Sequence, residues 1–461
     1  MVIKSVNDAL LKKCKSIHFI GIGGSGMLPI VQILHSMGYK ITGSDNNPGD
    51  NIDLEKSMGI DIFMGHDAKN IRDADLIIFS AAIMEDNPEL IAAFESNIPC
   101  VERSGMLGYL SGKYNNAVCI SGTHGKTTTS GMLTQILLDS GFDPSVILGG
   151  RLPAMGGNGR KGDSDIIVIE ACEYKDTFLK LKPDISVILN IDEDHMEYFK
   201  TLHNLKNSFE IFASITSKAI IANGDDSNTM DCLDGVKDKK PVLTFGFNKT
   251  NNYYADDITI KSEHEDITSR FTVYKNKEKF VDILLNVPGQ HNIANALAAI
   301  ASADLLGVSP NQIASGLSNF RGTGRRFQIM GHVNGATVAD DYAHHPTELK
   351  AILSSAVKMG YNKVWAIFQP FTFSRTARHL DEFADVLQIA DKVVLTQIMG
   401  SREKNTYNIY SEDLRKKIPN SVVFDTFEDL ACHVKDNVEQ DDLVITLGCG
   451  DVYKIAKILV K

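Results

Sequence analysis

The segment Gly21-Ile-Gly23-Gly-Ser-Gly26 has the residue types and spacing of a loop that binds a diphosphate. It follows the apolar run Ile17–Ile22 and precedes a helical pattern. Glycines let the backbone approach phosphate oxygens, and the helix N-terminus supplies N–H donors. A nicotinamide dinucleotide and a UDP-linked substrate both satisfy this pattern, and a tight turn without a ligand is the third interpretation. The residues expected to contact a diphosphate are Gly23, Gly24, Ser25 and Gly26.

A second phosphate-binding pattern, Ser-Gly-Thr-His-Gly-Lys-Thr-Thr-Thr, covers residues 121–129. The strict P-loop pattern needs a glycine where this chain has Ile120, so the loop is a shorter relative. In such a loop the lysine reaches the β- and γ-phosphate oxygens, and the hydroxyl that follows it ligates Mg²⁺. The alternative is a helix N-cap followed by a surface lysine. The predicted ATP-binding residues are Gly122, Thr123, His124, Gly125, Lys126, Thr127 and Thr128.

The two patterns together restrict the function more than either does alone. A nicotinamide oxidoreductase has no use for Lys126, and a simple kinase or ATPase has no obvious use for the first glycine loop. An ATP-driven enzyme that acts on a nucleotide-linked substrate uses both loops. A non-catalytic nucleotide sensor is a further class, and it predicts the loss of residues such as Lys126, which is present.

Apolar runs that alternate with helical patterns predict the elements that position these loops. We predict an α/β protein with three domains, 1–107, 108–322 and 323–461, each built on a mainly parallel sheet. Short alternating strands between Val242 and Val287 predict a small antiparallel patch in the second domain. The other predicted strands are Ile17–Ile22, Lys40–Gly43, Asp75–Ser80, Ala117–Ser121, Ile166–Glu170, Ile185–Asn190, Ala336–Ala339, Val364–Phe368, Val393–Thr396, Val422–Phe424 and Leu443–Leu447.

Composition supports a globular protein of several domains. The 461 residues are 43% hydrophobic and 23% charged, which excludes a disordered chain and a fibre. The net charge of −11 disfavours nucleic acids and anionic membranes as partners, so anionic ligands need local binding groups. We find no secretory signal and no long apolar run. The seven cysteines form no C-x-x-C pair, so we expect a cytoplasmic protein without disulfides.

The chain resembles the Mur ligases, the ATP-dependent amide-forming enzymes of peptidoglycan precursor synthesis. The resemblance implies an N-terminal Rossmann-like UDP-binding domain, a central P-loop-type ATPase domain and a C-terminal Rossmann-like domain that binds the amino acid. The motifs that carry the resemblance are Gly21–Met27, Gly122–Thr129, Glu170–Phe178, Asn190–His195, Gly289–Ala298, Gly324–Gln328, Asp340–Glu348 and Phe368–Arg378.

The resemblance also implies the reaction. ATP phosphorylates the lactyl carboxylate of UDP-N-acetylmuramate, and the amine of L-alanine attacks the acyl phosphate, giving an amide, ADP and phosphate. ATP and two Mg²⁺ ions are the implied cofactors, and a monomer or a homodimer is expected. Because the implied ligands are divided among three domains, we expect domain closure.

Site residues carry over from the family by motif. The implied catalytic residues are Lys126, Glu173, His195 and Arg326, and the implied metal ligands are Thr127, Glu173 and His195. His291, Asn292 and Asn295 match nucleotide contacts, Arg326 matches the γ-phosphate arginine, and Asp341 and Tyr342 match further ATP contacts. Asp45 and Ser80 end neighbouring strands of the UDP-binding domain. The implied amino-acid-binding residues are His344, Arg375 and Arg378.

Two departures from the family pattern bear on these expectations. Cys172 and the Tyr-Lys-Asp run at 174–176 stand where many relatives have a more acidic, serine-containing run. Phe371 and Thr372 stand where relatives often carry histidine and some carry arginine, respectively. The second departure leaves open how strictly L-alanine is preferred over glycine or serine.

Overall fold

Residues 2–401 and 403–461 are described by a computed structural model, in which they form two compact units. The first unit contains residues 2–254, 273–281 and 295–317. The second contains residues 255–272, 282–294 and 318–461. Both units are built on sheets of mainly parallel strands with flanking helices, which confirms the predicted α/β class.

The first unit begins with a five-stranded sheet of order β3-β2-β1-β4-β5, in which all four neighbouring pairs are parallel. This is the order of a Rossmann-like domain, as the sequence predicts. Its strands are β1 (Ser16–Ile20), β2 (Lys40–Asp45), β3 (Asp61–Met64), β4 (Leu76–Phe79) and β5 (Cys100–Glu102). Its helices are α1 (Asp8–Leu11), α2 (Leu28–Ser36), α3 (Asp50–Ser57), α4 (Pro88–Glu95) and α5 (Arg103–Ser111), with a 3₁₀ helix at Ala68–Ile71.

The packing of this sheet follows from its sequence. Strand β1 is buried on both faces, so it reads as a continuous apolar run. Helix α2 buries Leu28, Val31 and Leu34, which recur at helical spacing, and Pro29 occupies its first turn, where a missing N–H costs no hydrogen bond. The glycine loop between β1 and α2 is therefore fixed at both ends.

The next segment forms a ten-stranded sheet of order β15-β14-β13-β12-β11-β10-β6-β9-β7-β8. Strand β6 lies between β9 and β10 and pairs in parallel with both, so the segments that follow these three strands lie side by side. The strands are β6 (Asn116–Ser121), β7 (Ser145–Leu152), β8 (Gly157–Arg160), β9 (Ile166–Glu170), β10 (Ile185–Ile188), β11 (Ala219–Asn223), β12 (Val242–Gly246), β13 (Tyr253–Glu263), β14 (Asp266–Lys275) and β15 (Glu278–Leu285).

Helices of this segment begin directly after the second glycine loop. They are α6 (Lys126–Asp139), α7 (Met196–Phe199), α8 (Leu202–Ile215), α9 (Ser227–Cys232), α10 (Gln290–Leu305) and α11 (Pro310–Asn319), with 3₁₀ helices at Pro153–Met155 and Tyr174–Lys180. Every residue of α6 from Thr127 to Leu137 is buried, which explains why its sequence shows no strong polar face.

The predicted antiparallel patch is partly wrong. Strand β12 pairs in parallel with both β11 and β13. The loop 247–252 between the two strands folds back on itself, because the Asn251 amide donates to Asp225 Oδ1 and to Asn248 O. The chain therefore re-enters the sheet in the same direction. Strands β13, β14 and β15 are successive neighbours joined by two-residue links, and such links join only antiparallel strands.

The C-terminal segment, in the second unit, forms a six-stranded sheet of order β16-β17-β21-β18-β19-β20. Only the β16–β17 pair is antiparallel. The strands are β16 (Gln328–Val333), β17 (Ala336–Asp341), β18 (Val364–Phe368), β19 (Lys392–Thr396), β20 (Val422–Phe424) and β21 (Leu443–Leu447). The helices are α12 (Pro346–Ala356), α13 (Phe373–Arg378), α14 (Leu380–Leu387), α15 (Ser411–Arg415), α16 (Phe427–Asn437) and α17 (Tyr453–Leu459).

The three predicted domain ranges remain predictions. The predicted boundary between residues 107 and 108 lies inside α5, which runs without interruption from Arg103 to Ser111. Within residues 2–401 and 403–461, none of the helices combines the length and the apolar character needed to cross a bilayer.

Candidate active site

The first glycine loop is shaped by hydrogen bonds to the end of β2. Gly21 has a φ of +80°, and its N–H donates to Ser44 O at 2.8 Å. The Gly23 N–H donates to Asp45 Oδ2 at 3.0 Å, and Asp45 Oδ1 accepts from Asn47 N at 3.0 Å. Asp45 therefore holds the loop in place, and a contact from Asp45 to ribose or uracil remains a prediction.

Ser80 lies on the other side of the same loop. Its N–H donates to Ile20 O at 3.1 Å, and its Cβ is 3.4 Å from where a Cβ on Gly21 would lie. Because β2 and β4 flank β1 on opposite sides, Asp45 and Ser80 border the crevice in which open α/β sheets bind ligands. The structure thus brings together the loop residues and both strand ends predicted for the UDP substrate.

The second glycine loop follows β6 and is held by two residues of the Asn190–His195 motif that the sequence analysis did not assign as site residues. Asn190, just beyond β10, accepts from His124 N at 2.8 Å and donates to His124 O at 3.1 Å. The N–H of Asp192 donates to the Thr123 hydroxyl at 2.9 Å. The signal was available, because polar residues that end strands next to a phosphate-loop strand lie beside that loop.

Lys126 is the first residue of α6, and its ammonium group is enclosed by acceptors. It donates to Glu173 Oε2 at 2.9 Å, to Thr123 O at 3.0 Å and to the carbonyl of Gly122. Glu173 is 1% exposed. Burial by itself lowers the pKa of Lys126, but the charges of Glu173, Cys172 and Glu170 and the hydrogen bond to Glu173 together outweigh this effect and hold the pKa above its usual range. Lys126 is therefore a permanent cation in the loop.

Thr127 points at a second acid, Glu170, which sequence reasoning also missed as a site residue. The Thr127 hydroxyl donates to Glu170 Oε2 at 2.9 Å, and Gly149 N donates to the same oxygen at 2.7 Å. The site thus contains a hydroxyl and two carboxylates, the oxygen donors that Mg²⁺ prefers. The residues present fit a magnesium ion.

His195 lies at the N-terminus of α7 with a φ of +56°. Its ring lies 4.7 Å, centroid to centroid, from the ring of Tyr174, the residue after Glu173. Lys175 and Asp176 also have positive φ values, of 53° and 57°. Non-glycine residues in this conformation are strained, and such strain concentrates at functional sites. The two predicted metal ligands beyond Thr127 therefore lie on neighbouring, strained segments.

Asn295 is the nucleotide residue that the first unit contributes from α10. A Cβ on Gly125 would lie 2.4 Å from Asn295 Oδ1, so the amide side chain packs directly against the loop. Gly125 has a φ of +87°, and Asn295 is buried. Both facts require a glycine at position 125.

In the second unit, His291 and Asn292 form the start of α10. The Asn292 amide donates to Pro288 O at 2.6 Å and ties the helix to the preceding turn. Burial, together with the positive charge of Arg326, lowers the pKa of His291 to about 4. His291 is therefore neutral at physiological pH and offers one donor and one acceptor, which suits a base or ribose hydroxyl.

Arg325 and Arg326 have different surroundings. Arg325 Nε donates to Asp340 Oδ2 at 2.9 Å and its Nη2 donates to Gly448 O at 2.7 Å, so Arg325 is committed to the fold. Arg326 lies over the Tyr342 ring at 5.2 Å, and its Nη1 is 4.0 Å from Glu348 Oε1. The contacts of Arg325 occupy its guanidinium, and the role of Arg326 at the γ-phosphate remains a prediction.

Asp341 is buried and accepts from Phe327 N at 2.7 Å and Ala343 N at 2.8 Å. Burial raises the pKa of its carboxyl group to about 6, with Arg326 opposing the rise. Both carboxylate oxygens are thus engaged by the backbone, and a direct contact with ATP remains a prediction.

The predicted amino-acid residues also lie in the second unit. Arg375 and Arg378 belong to the short helix α13, where Arg375 is half-buried and Arg378 is exposed. His344 Nδ1 lies 3.0 Å from Tyr342 O and 3.3 Å from Glu348 Oε2. Thr372, just before α13, has a φ of +62°, so the departure at 371–372 coincides with a strained turn.

Three family models match the chain: "Mur ligase family, catalytic domain" at residues 16–115, "Mur ligase middle domain" at 120–303 and "Mur ligase, glutamate ligase domain" at 325–450. The UDP-N-acetylmuramate–L-alanine ligase of Acetivibrio thermocellus is 42% identical over 97% of this chain and 96% of its own. The chain belongs to the Mur ligase family. The enzyme of the same name from Clostridium acetobutylicum is 43% identical over 96% of this chain and 97% of its own.

Solved structures agree with this membership. The UDP-N-acetylmuramate–alanine ligase of Thermotoga maritima matches with a TM-score of 0.81 and 30% identity, covering 96% of this chain and 98% of its own. A murein peptide ligase from Psychrobacter arcticus, 24% identical with a TM-score of 0.73, covers 96% and 98% and shares the fold. The resemblance drawn from the sequence motifs is confirmed, and with it the class of ATP-dependent ligases.

Proposed function

We propose that the protein joins L-alanine to UDP-N-acetylmuramate at the expense of ATP, in peptidoglycan precursor synthesis. The observation that carries the proposal is the presence in one unit of two phosphate loops, one of them with a lysine fixed on a buried glutamate. Relatives named for this activity, which match over nearly the full length of the chain, support it. Its setting is the cytoplasm, as a monomer or homodimer, without nucleic-acid or membrane partners.

A carboxylate is a poor electrophile, so the reaction starts with transfer of the γ-phosphoryl group to the lactyl carboxylate. Lys126, a permanent cation, neutralises charge on the β- and γ-phosphate oxygens, and Arg326 contacts the transferred group. The L-alanine amine then attacks the acyl carbon, the tetrahedral intermediate expels phosphate, and the amide remains. Positioning and charge neutralisation supply most of the acceleration.

Thr127, Glu173 and His195 would hold two Mg²⁺ ions, with Glu170 beside Thr127. Bound magnesium neutralises phosphate charge and orients the γ-phosphate. With magnesium bound, the Glu173 carboxylate would contact the metal, and Lys126 would be left to donate to phosphate oxygens.

The remaining predicted residues form three groups, and each group binds a different substrate. Gly23, Gly24, Ser25 and Gly26 contact the diphosphate, and Asp45 and Ser80 contact the rest of the UDP group. His291, Asn292, Asn295, Asp341 and Tyr342 contact ATP. His344, Arg375 and Arg378 bind L-alanine, with a guanidinium on its carboxylate.

The test is release of phosphate from Mg·ATP, measured with UDP-N-acetylmuramate across single amino acids and with each component omitted. We expect release that requires both the sugar nucleotide and L-alanine and that is lost in Lys126→Ala. Lys237→Ala is the matched control, because Lys237 is an exposed lysine that pairs with Asp234 on the surface of the same unit.

Two outcomes would change the proposal. No release with any amino acid, together with tight NAD(P)H binding, would return the first loop to a dehydrogenase. Equal release with glycine, serine and L-alanine would keep the reaction and make Phe371 the residue to examine for specificity.

A further inference from the structure

Arg103 lies directly against the first glycine loop, although no motif singles it out. A Cβ on Gly26 would be 3.3 Å from Arg103 Nη1, 3.5 Å from its Cζ and 3.6 Å from its Nε. These similar distances place the guanidinium flat against the last glycine of the loop. Arg103 is half-buried and is the first residue of α5, which follows β5 at the edge of the same sheet.

The guanidinium of Arg103 has no hydrogen-bond or ion-pair partner among residues 2–401 and 403–461. The adjacent acid, Glu102, is occupied, because its carboxylate caps α5 by accepting from Ser104 N at 3.2 Å and from the Ser104 hydroxyl at 2.5 Å. A cation in the first turn of a helix also opposes the helix dipole. The fold therefore gains nothing electrostatic from an arginine here.

The negative charge beside the loop favours a cation next to an anionic ligand. Asp45 lies under Gly23, and the chain as a whole carries a net charge of −11. A diphosphate bound by backbone N–H groups alone would face this negative charge without a counterion. Arginine suits the role because its planar donors match two phosphate oxygens at once.

We propose that Arg103 binds the diphosphate of the UDP-linked substrate, completing the site that Gly23–Gly26 begin. This inference deepens the proposed function and rests on it for the identity of the substrate. In the reaction Arg103 fixes the sugar nucleotide so that its lactyl carboxylate is presented to ATP, and it takes no part in bond making.

The experiment measures binding to the full chain by calorimetry, without ATP or amino acid, for UDP, UMP and UDP-N-acetylmuramate. In Arg103→Ala we expect the affinity for UDP and for UDP-N-acetylmuramate to fall equally, by about 10- to 100-fold. The affinity for UMP, which lacks the second phosphate, should change much less. Arg103→Lys should recover part of the loss, and Arg72→Ala, an exposed arginine of the same sheet domain, should bind as the unaltered chain does.

The outcomes are distinct. Unchanged UDP affinity with weakened UDP-N-acetylmuramate binding would overturn the assignment and place Arg103 on the lactyl carboxylate. Unchanged affinity for all three, or no UDP binding by the unaltered chain, would overturn it as well. If the chain has ligase activity but Arg103→Ala leaves UDP binding unchanged, only this inference is wrong. If UDP binding depends on Arg103 but the chain has no ligase activity, only the proposed function is wrong. A thermal melt of each variant excludes misfolding as the cause.

Discussion

The two glycine loops of the first unit both follow a parallel strand, but their cations are held in opposite ways. Lys126 of the second loop is paired with the buried Glu173, whereas Arg103 beside the first loop has no partner within residues 2–401 and 403–461. A ligand at the second loop must therefore exchange existing ion pairs, while a ligand at the first loop only adds contacts. We infer that the second loop is built for a change of charge during reaction and the first for holding a substrate.

The largest expected effect is on kcat, and it distinguishes a residue that acts in the reaction from one that binds the substrate. Lys126→Ala should lower kcat by about 1,000-fold, because it removes the cation on the phosphoryl oxygens. Arg103→Ala should leave kcat within a few-fold and raise KM for UDP-N-acetylmuramate by about 10- to 100-fold. Steady-state phosphate release, measured over a range of UDP-N-acetylmuramate concentrations at saturating ATP and L-alanine, gives both constants. A large loss of kcat in Arg103→Ala would break the comparison, because Arg103 would then act in the transition state.

The same contrast should appear in stability. Lys126→Ala leaves the buried Glu173 without its cation, and breaking a buried pair in this way costs about 3 kcal/mol. Arg103→Ala removes no partner and should leave the thermal midpoint nearly unchanged. Differential scanning calorimetry checks this, and the double variant Lys126→Ala/Glu173→Ala should recover part of the loss. Equal destabilisation by Lys126→Ala and Arg103→Ala would show that Arg103 has a structural role.

Much of this arrangement can be predicted from the sequence. Buried parallel strands read as apolar runs, so the predicted strand Ile166–Glu170 matches β9 and Val364–Phe368 matches β18. The two phosphate-binding loops can be recognised from their glycines and from Lys126, because the phosphate-binding groups of each loop lie within one short segment. The family and the fold class were accessible for the same reason.

The rest depends on which strands become neighbours, and local patterns do not contain that information. Glu170 and Asn190 are 20 residues apart in sequence. Both contact the second loop because β9 and β10, the strands before them, flank β6. Arg103 follows β5, at the edge of the sheet, and Gly26 lies in the loop after β1, two strands away, so only the strand order brings them together. The parallel pairing of β12 was missed because it depends on hydrogen bonds from Asn251 within a six-residue loop.

A smaller effect is expected from the glycines of the two loops. Gly125→Ala should lower kcat by about 10-fold or more, because φ is +87° and the new Cβ would meet Asn295 Oδ1 at 2.4 Å. In Gly26→Ala the three atoms nearest the new Cβ all belong to the movable Arg103 side chain, so this change should raise KM for the sugar nucleotide a few-fold. Gly59→Ala is the control, because Gly59 has φ of +82° and open space around it, so the strain lowers stability without lowering activity. If Gly125→Ala and Gly59→Ala changed kcat equally, the contact between Gly125 and Asn295 would have no role in activity.

The smallest expected effect concerns two buried glutamates of the first domain. Burial, with Asp45 adding to it, raises the pKa of Glu55 to about 8, and neither Glu55 oxygen has a hydrogen-bond partner in the described parts of the chain. Glu89 is equally buried, yet its hydrogen bonds with His18 at 2.6 Å, with Ser44 and with His66 at 2.9 Å together outweigh the effect of burial and keep its pKa low. The two carboxyl groups should therefore respond to pH in opposite directions.

For Glu55 the folded state keeps a proton that the unfolded chain releases near pH 4.5, so stability falls as pH rises from there to about 8. Glu55→Gln removes this penalty, and its thermal midpoint should exceed that of the unaltered chain by an amount that grows between pH 6 and pH 9. Glu89 contributes stability above its unfolded pKa that is lost as the pH falls through its lower folded pKa, so Glu89→Gln should destabilise across the same range. Thermal melts of both variants at several pH values check this. A Glu55→Gln advantage that did not grow with pH would mean that Glu55 is ionised and paired, and the region behind the first loop would then resemble that of Lys126 and Glu173.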